Sequence, residues 1–258
     1  FITTFAGTKE RYKPIKKETT AKKKTHPLKT IKTLCRNKYF ILITLAFAVI
    51  YTSLGLTGGS RIYYAKYVLG DEMLNSTMTM FNYIPTILTI MLIPVFTKRF
   101  GKIKALFVGF LFYAAGLVLE IAGPVNLPMI YTGLVLQGIG HAALYSCLFA
   151  IVGDVVDYSE WKDGVREEGI TYSVTSFGQK IGTGLGTAAL GWILAAGHYD
   201  GTAAVQSASA IFAIKGLFLY LPLVITVIVL IIWYLFMGID KIYPTVRKEL
   251  DERREKAE

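Results

Sequence analysis

Histidine and cysteine are nearly missing from this sequence, with three of one and two of the other in 258 residues. Cys35 sits in a basic stretch and Cys147 inside an apolar run, so neither a disulfide framework nor a thiolate metal site is available. His26, His141 and His198 are far apart in the chain, and the polar segments carry no nucleophile, base and acid that would assemble a catalytic centre. An enzyme is therefore not expected, and no catalytic or metal-ligating residue is assigned. Acidic side chains are also few: 18 against 28 Lys and Arg, a formal net charge of +10. In a soluble protein that excess would suggest nucleic acid. Here the basic residues avoid the apolar runs and crowd the segments between some of them, which is how loops are held on the cytoplasmic face of a membrane, so no nucleic-acid partner is expected. A ring-forming repeat or a filter-like loop, the marks of a channel, is likewise missing.

What the chain has in quantity is apolar surface. Hydrophobic residues make up 53% of it and the mean hydropathy is +0.47, more than one soluble core of this length requires, so the surplus must face lipid. Six apolar segments stand out: Tyr39 to Gly58, Met78 to Phe96, Ile103 to Ala122, Met129 to Val152, Ile170 to Ala196 and Gly216 to Met237. Each approaches or exceeds the roughly 20 residues that a spanning helix needs. The segment Phe1 to Lys38 is lysine-rich, broken by Pro14 and Pro27, and reads as a solvated basic linker. Residues 39–240 are expected to form the six-helix bundle and 241–258 a charged tail. The chain opens on Phe1, without a secretory signal pattern, and reads as a fragment.

Loop charges set the orientation. Phe1 to Lys38, Lys98 to Lys104, Asp154 to Glu168 and Lys241 to Glu258 hold 12, 4, 2 and 6 Lys or Arg, together 24 of the 28. The opposite side holds Arg61, Lys66 and Lys215. Both ends are thus expected in the cytoplasm. Six crossings behind a long basic linker fit one half of a six-plus-six membrane carrier.

The fifth segment differs from the others. Ser173, Ser176, Lys180, Thr183 and Thr187 recur every three or four residues along one face, widened by Thr175 and Gln179. Lys180 falls about 15 Å from the inner end of that helix, close to mid-membrane. An ammonium there costs about 2.5 to 3.5 kcal/mol unless water, a carboxylate or a solute meets it. The alternative is a structural ion pair to a neighbouring helix; Glu120, Asp154 and Asp157 all lie at other depths, so its carboxylate would come from the other half. Gly178, Gly182 and Gly186 form overlapping small-xxx-small steps suited to close helix packing. Gln137, His141 and Tyr145 give the fourth segment a second polar face, Asn82, Thr86 and Thr89 mark the second, and Tyr51, Thr52 and Gly55 to Arg61 mark the first. The sixth segment, branched and apolar from Val224 to Ile232 except for Thr226, is expected at the lipid periphery.

The stretch Gly153-Asp154-Val155-Val156-Asp157-Tyr158-Ser159-Glu160-Trp161-Lys162, followed by Arg166-Glu167-Glu168-Gly169-Ile170, Tyr172-Ser173 and Ser176-Phe177-Gly178-Gln179-Lys180, closely resembles the signature of the glycoside-pentoside-hexuronide:cation symporters, the melibiose permease-like branch of the major facilitator superfamily. Lys98-Arg99-Phe100-Gly101-Lys102 is similar to the short basic loop of that superfamily. The resemblance implies an all-α integral membrane fold of twelve helices, with this chain as the C-terminal bundle in the plasma (inner) membrane. It implies alternating-access symport of a sugar with Na+, Li+ or H+, the cation being held mainly by the N-terminal half. It further implies that Lys180, Thr175, Ser176 and Tyr145 lie near the sugar, with Gln179 and Thr183 on the same stripe. Asp154, Asp157, Glu160, Arg166, Glu167 and Glu168 then fall where the halves meet on the cytoplasmic side, as a gate of ion pairs. The expected partners are sugar, cation, lipid and the N-terminal half. A major facilitator for a non-sugar solute is the alternative.

Overall fold

A computed structural model describes residues 34, 36–164, 166–203 and 205–255, and nearly all of the expected linker lies outside them. All secondary structure among the described residues is helical. The helices are α1 (Lys38–Tyr67), α2 (Leu74–Ile90), α3 (Ile93–Phe100), α4 (Lys102–Ala122), α5 (Leu127–Asp163), α6 (Glu168–Ala196), α7 (Ala208–Lys215), a π-helical turn (Gly216–Tyr220), α8 (Leu221–Phe236) and α9 (Gly238–Glu255).

Local chemistry explains the punctuation. Asn37 caps α1, its Oδ1 accepting the Tyr39 N–H at 2.9 Å while its Nδ2 donates to Ser159 Oγ at 2.9 Å, so one buried amide both starts α1 and ties it to α5. α5 starts at the Asn126 cap with proline in its first turn and stops at Gly164, whose φ of 65° suits a residue without Cβ. Between α2 and α3 the chain bends by 55°. Pro94, in the first turn of α3, has no N–H to offer the preceding turn, so the helix cannot run straight through. Pro222 likewise lacks an N–H in the first turn of α8, where the chain passes through a π-helical turn, yet α7 and α8 continue as one span.

Four helices, α1, α4, α5 and the α7–α8 unit, are long and apolar enough to cross a membrane, and a fifth crossing follows if the bent α2–α3 pair is one span. α6 has the length, but its polar stripe keeps it out of that apolar set. Three sequence boundaries move by eight residues or more. The first segment continues nine residues to Tyr67, and the last begins earlier, at Ala208. The fourth continues through Asp163, because Ile151, Val152, Val155, Val156 and Tyr158 keep a buried face at helical spacing. Asp154, Asp157 and Glu160 are therefore on a helix and not in a loop. The charged tail is also helical: α9 packs on α5, with Trp161 Nε1 donating to Glu249 Oε2 at 2.7 Å.

Packing is closest between α1 and α6 and between α4 and α5. A Cβ on Gly182 or Gly186 would collide with the carbonyl oxygens of Ala48 and Thr52, and one on Gly178 would stand 3.3 Å from the Thr44 oxygen. The small-residue steps thus let two backbones touch, as expected. Gly109 and Gly140, and Gly116 and Gly133, do the same where α4 crosses α5. One apolar cluster, around Phe47, Trp233 and Phe236, joins the start of α1 to the end of α5, to α8 and to α9. A second, around Tyr64, Ile130 and Phe218, joins the end of α1 to the start of α5 and the π-turn. α8 keeps Val224, Val227, Ile228 and Ile231 exposed on the side away from both clusters.

Candidate solute-facing surface and its buried charges

α6 has two faces of different character. Thr171, Thr175, Gly178, Gly182 and Gly186 are buried, and its glycines meet α1. Ser173, Lys180, Thr183 and Thr187 are exposed, with Ser176 and Gln179 half-buried at the margin. Within the stripe, Thr183 Oγ1 donates to the Gln179 carbonyl and Thr187 Oγ1 to that of Thr183, each at 3.0 Å, so the hydroxyl oxygens keep free lone pairs. Thr175 does not join them. It is fully buried, and its hydroxyl is occupied by the carbonyls of Thr171 and Tyr172 at 3.1 and 3.0 Å, because one helical turn before the small-residue steps this position faces α1. Lys180 forms no ion pair among the described residues, which therefore offer no partner for the structural pair weighed from the sequence.

On α5, Tyr145 is 46% exposed and Phe149 nearly as much. Phe149 packs edge-on against Phe47 of α1 at 5.2 Å, and Phe47 stacks with Tyr51 at 5.9 Å. Tyr145 lies 5.8 Å from His141, which lies 4.9 Å from Tyr113 of α4. Two other polar sets turn inward. Asn82 Nδ2 donates to the Leu134 carbonyl at 3.2 Å and Thr86 Oγ1 to the Gly138 carbonyl at 3.0 Å, which fastens α2 to α5. Gln137 is spent on Glu120, a buried carboxylate treated below.

The signature acids are paired inside this chain. Asp154, 6% exposed, accepts Lys102 Nζ with both oxygens at 2.6 and 2.8 Å. Arg166 Nη1 reaches Asp157 at 2.8 Å and Glu160 at 2.5 Å, and Nη2 reaches Glu168. Partial burial works against its charge, but the bonds to Glu160, Asp157 and Glu168 outweigh it and hold the guanidinium above its ordinary range. Tyr243 of α9 donates to Asp157 Oδ2 at 3.0 Å. Glu167 starts α6 without a side-chain cap bond. Their partners within the described residues are Lys102, Arg166 and Tyr243. Among the described residues no group of three His, Cys, Asp or Glu is placed to hold a metal ion.

Sequence reasoning missed two features. Asp240 Oδ2 accepts the N–H groups of Ile103 and Lys104 at 3.1 and 3.2 Å, capping α4 from another helix. Arg61 and Glu120 face one group of side chains. The sequence did flag a carboxylate within an apolar run, but weighed it only as a partner for Lys180.

Apolar helices long enough to span, backbones brought together by glycine, and a charge left open on a polar stripe define a multi-pass helical membrane protein. The model of the family described as MFS/sugar transport protein matches residues 1–241, and the chain belongs to that family of the major facilitator superfamily. It is 32% identical to the isoprimeverose transporter of Lactiplantibacillus pentosus, over 98% of this chain and 52% of the relative. It is 27% identical to the glucuronide carrier protein homolog of Escherichia coli, over 87% and 50%, and 26% identical to an uncharacterized symporter of Bacillus subtilis, over 86% and 49%. The chain spans about half the length of these curated relatives.

Proposed function

We propose that this chain is the C-terminal six-helix half of a sugar:cation symporter of the plasma (inner) membrane. The observation that carries the reading is the open polar face of α6, with Lys180 exposed and without an ion pair among the described residues, on a helix that otherwise lies between apolar neighbours. A cation at that depth is tolerated when it faces water or a solute. With α6 and the bent α2–α3 pair each counted as one span, the helices make six crossings, and both ends of the bundle fall on the cytoplasmic side by the distribution of Lys and Arg.

The reading assigns one face to the solute. Lys180 donates to sugar hydroxyls; Ser176, Gln179 and Thr183 supply further donors and acceptors; Tyr145 offers a flat apolar ring to a pyranose. Thr175, buried against α1, positions Ser176 and Gln179 from behind. The matching face of an N-terminal six-helix half completes the site and carries most of the ligands for Na+, Li+ or H+. The halves rock about the bound sugar and cation, exposing them to each side in turn. At the cytoplasmic end, Asp154, Asp157, Glu160, Arg166 and Glu167 form the gate. The bonds of Asp154, Asp157, Glu160 and Arg166 within the chain hold α4, α5, α6 and α9 as one block, whose edge meets the other half when the inner side is closed. Family and stripe both point to transport without covalent chemistry.

The test joins this half to its native N-terminal half in sealed vesicles. Uptake of labelled glycosides, pentosides and hexuronides is followed under imposed sodium or proton gradients, with and without Lys180→Ala. Gradient-driven uptake that the substitution abolishes is the expected result. If no sugar moves under any gradient, a facilitator for a non-sugar solute replaces this reading; if uptake survives the substitution, Lys180 is structural. This half alone is expected to transport nothing.

A further inference from the structure

Glu120 of α4 is completely buried, and only one of its oxygens is satisfied. Oε1 accepts Gln137 Nε2 at 2.7 Å, whereas Oε2 has no hydrogen-bond partner. The side chain rests on bare backbone, for a Cβ on Gly133 would stand 2.6 Å from Glu120 Cγ and 3.0 Å from Oε1. Across from it is Arg61 of α1, whose Nη1 donates to Thr79 Oγ1 at 3.1 Å and whose Nε is buried without a partner. The two side chains are in electrostatic range, yet they form no ion pair.

A buried acceptor and a buried donor, both unmet and facing one group of side chains, are a poor way to glue helices, since each costs about 1 to 3 kcal/mol. They make sense as two ends of a contact that opens and closes. With the carboxylate ionised, attraction draws it toward the Arg61 guanidinium, whose Nε is the unmet donor within its electrostatic range. With a proton on Oε2 the charge is gone, the pair is released, and Arg61 stays on Thr79. The other titratable groups facing Glu120 are Tyr64 of α1 and Tyr113 of its own helix, and those facing Arg61 are Tyr113, Tyr83 of α2, and His141 and Tyr145 of α5. None of these is a second carboxylate, so nothing else in this group competes with Glu120 for Arg61.

Beside the groups that face Arg61 there is a small void. Tyr113 and His141 line a cavity of about 20 Å³ with Ser53 and Thr226, room for one water. Arg61 in turn lies within electrostatic reach of Tyr145, on the proposed solute face.

We infer that Glu120 is a proton-binding carboxylate of the transport cycle, paired with Arg61 when ionised and released from it when protonated. The proton enters from the outer medium, forms an O–H bond at Oε2, and leaves to cytoplasmic water when the pair re-forms. This rests on the transporter reading above, and it places a proton site in this half in addition to the cation ligands expected of the other.

The test uses both halves together in proteoliposomes, with the sugar that the uptake screen selects, a trapped pH dye, and counterflow of the same sugar. Wild-type protein is expected to carry protons with sugar. Glu120→Gln is expected to keep counterflow and lose sugar-driven proton movement. Unchanged proton movement in Glu120→Gln, or wild-type uptake that moves no protons, overturns the inference and leaves the transporter reading intact. Absence of wild-type counterflow sinks both. Should Glu120→Gln lose counterflow as well, Glu120→Asp decides: a displaced pH dependence of proton movement supports the inference, and an unchanged one overturns it.

Discussion

Asp240 of α9 caps the neighbouring α4, and its Oδ2 stands close enough to Gly101 that a Cβ there would lie 2.6 Å away. Gly101 has φ of 95°, so both conformation and space demand glycine at that point. The cap explains why the short basic loop is fixed in shape, and it makes a segment that looked like a tail part of the bundle.

Replacing Asp240 by alanine is expected to lower stability by about 1 kcal/mol, the usual loss when a helix cap is removed. Burial is the larger influence on this carboxyl and raises it above its ordinary value of 3.8, although the two N–H bonds and nearby lysines pull the other way. A group that binds its proton more tightly when folded stabilises the fold at low pH, and that contribution fades as pH rises through the raised value. Thermal unfolding in detergent should therefore show a downward slope across that window which Asp240→Asn removes.

Lys102→Met leaves Asp154 charged with only Lys102's bonds lost and little water to replace them. A loss of about 1 to 3 kcal/mol is expected. Adding Asp154→Asn should restore most of it, because the unpaired charge is then gone. Additive losses in the double variant would show that the pair is not the source.

Gly182→Val forces a branched side chain into the Ala48 carbonyl. Separation of α1 from α6 is expected, with a destabilisation of about 1 to 3 kcal/mol or more, read as a lower melting temperature. Gly184→Ala, where a Cβ meets nothing within 4 Å, should have no such effect.

Side chains of the stripe should be wet. In a variant with Cys35 and Cys147 replaced by serine and alanine, thiols introduced by Thr183→Cys and Thr187→Cys are expected to react with a hydrophilic maleimide, and bound sugar to protect the former. Val229→Cys, buried between α8 and its neighbours, should not react. Equal labelling of all three would remove the solute face from α6.

Arg166→Gln should change rates more than stability. The pairs it makes are partly exposed, and such pairs contribute about 0 to 1 kcal/mol. Freeing Asp157, Glu160 and Glu168 is expected to favour the state open to the inside, seen as a change in the balance of inward and outward labelling rather than in melting temperature.

The sequence by itself determined the membrane class, the spacing of apolar segments, the α6 stripe and the small-residue steps, because each is local: burial in lipid demands long apolar runs, and helical periodicity places Lys180 and Gly182 on different faces. It also placed Asp154, Asp157, Glu160 and Arg166 in one charged region through their resemblance to a family signature. Only the tertiary structure decided which polar groups meet. Gln137, Asn82 and Thr86 look like lining residues until the neighbouring helix supplies their partners, and Thr175 looks like part of the stripe until α1 covers it. Arg61 and Glu120 are 59 positions apart, and nothing in either's neighbourhood in the chain names the other. Their relation depends on how α1, α4 and α5 cross, which is set by the contact of glycine backbones and fixed only when the whole bundle closes.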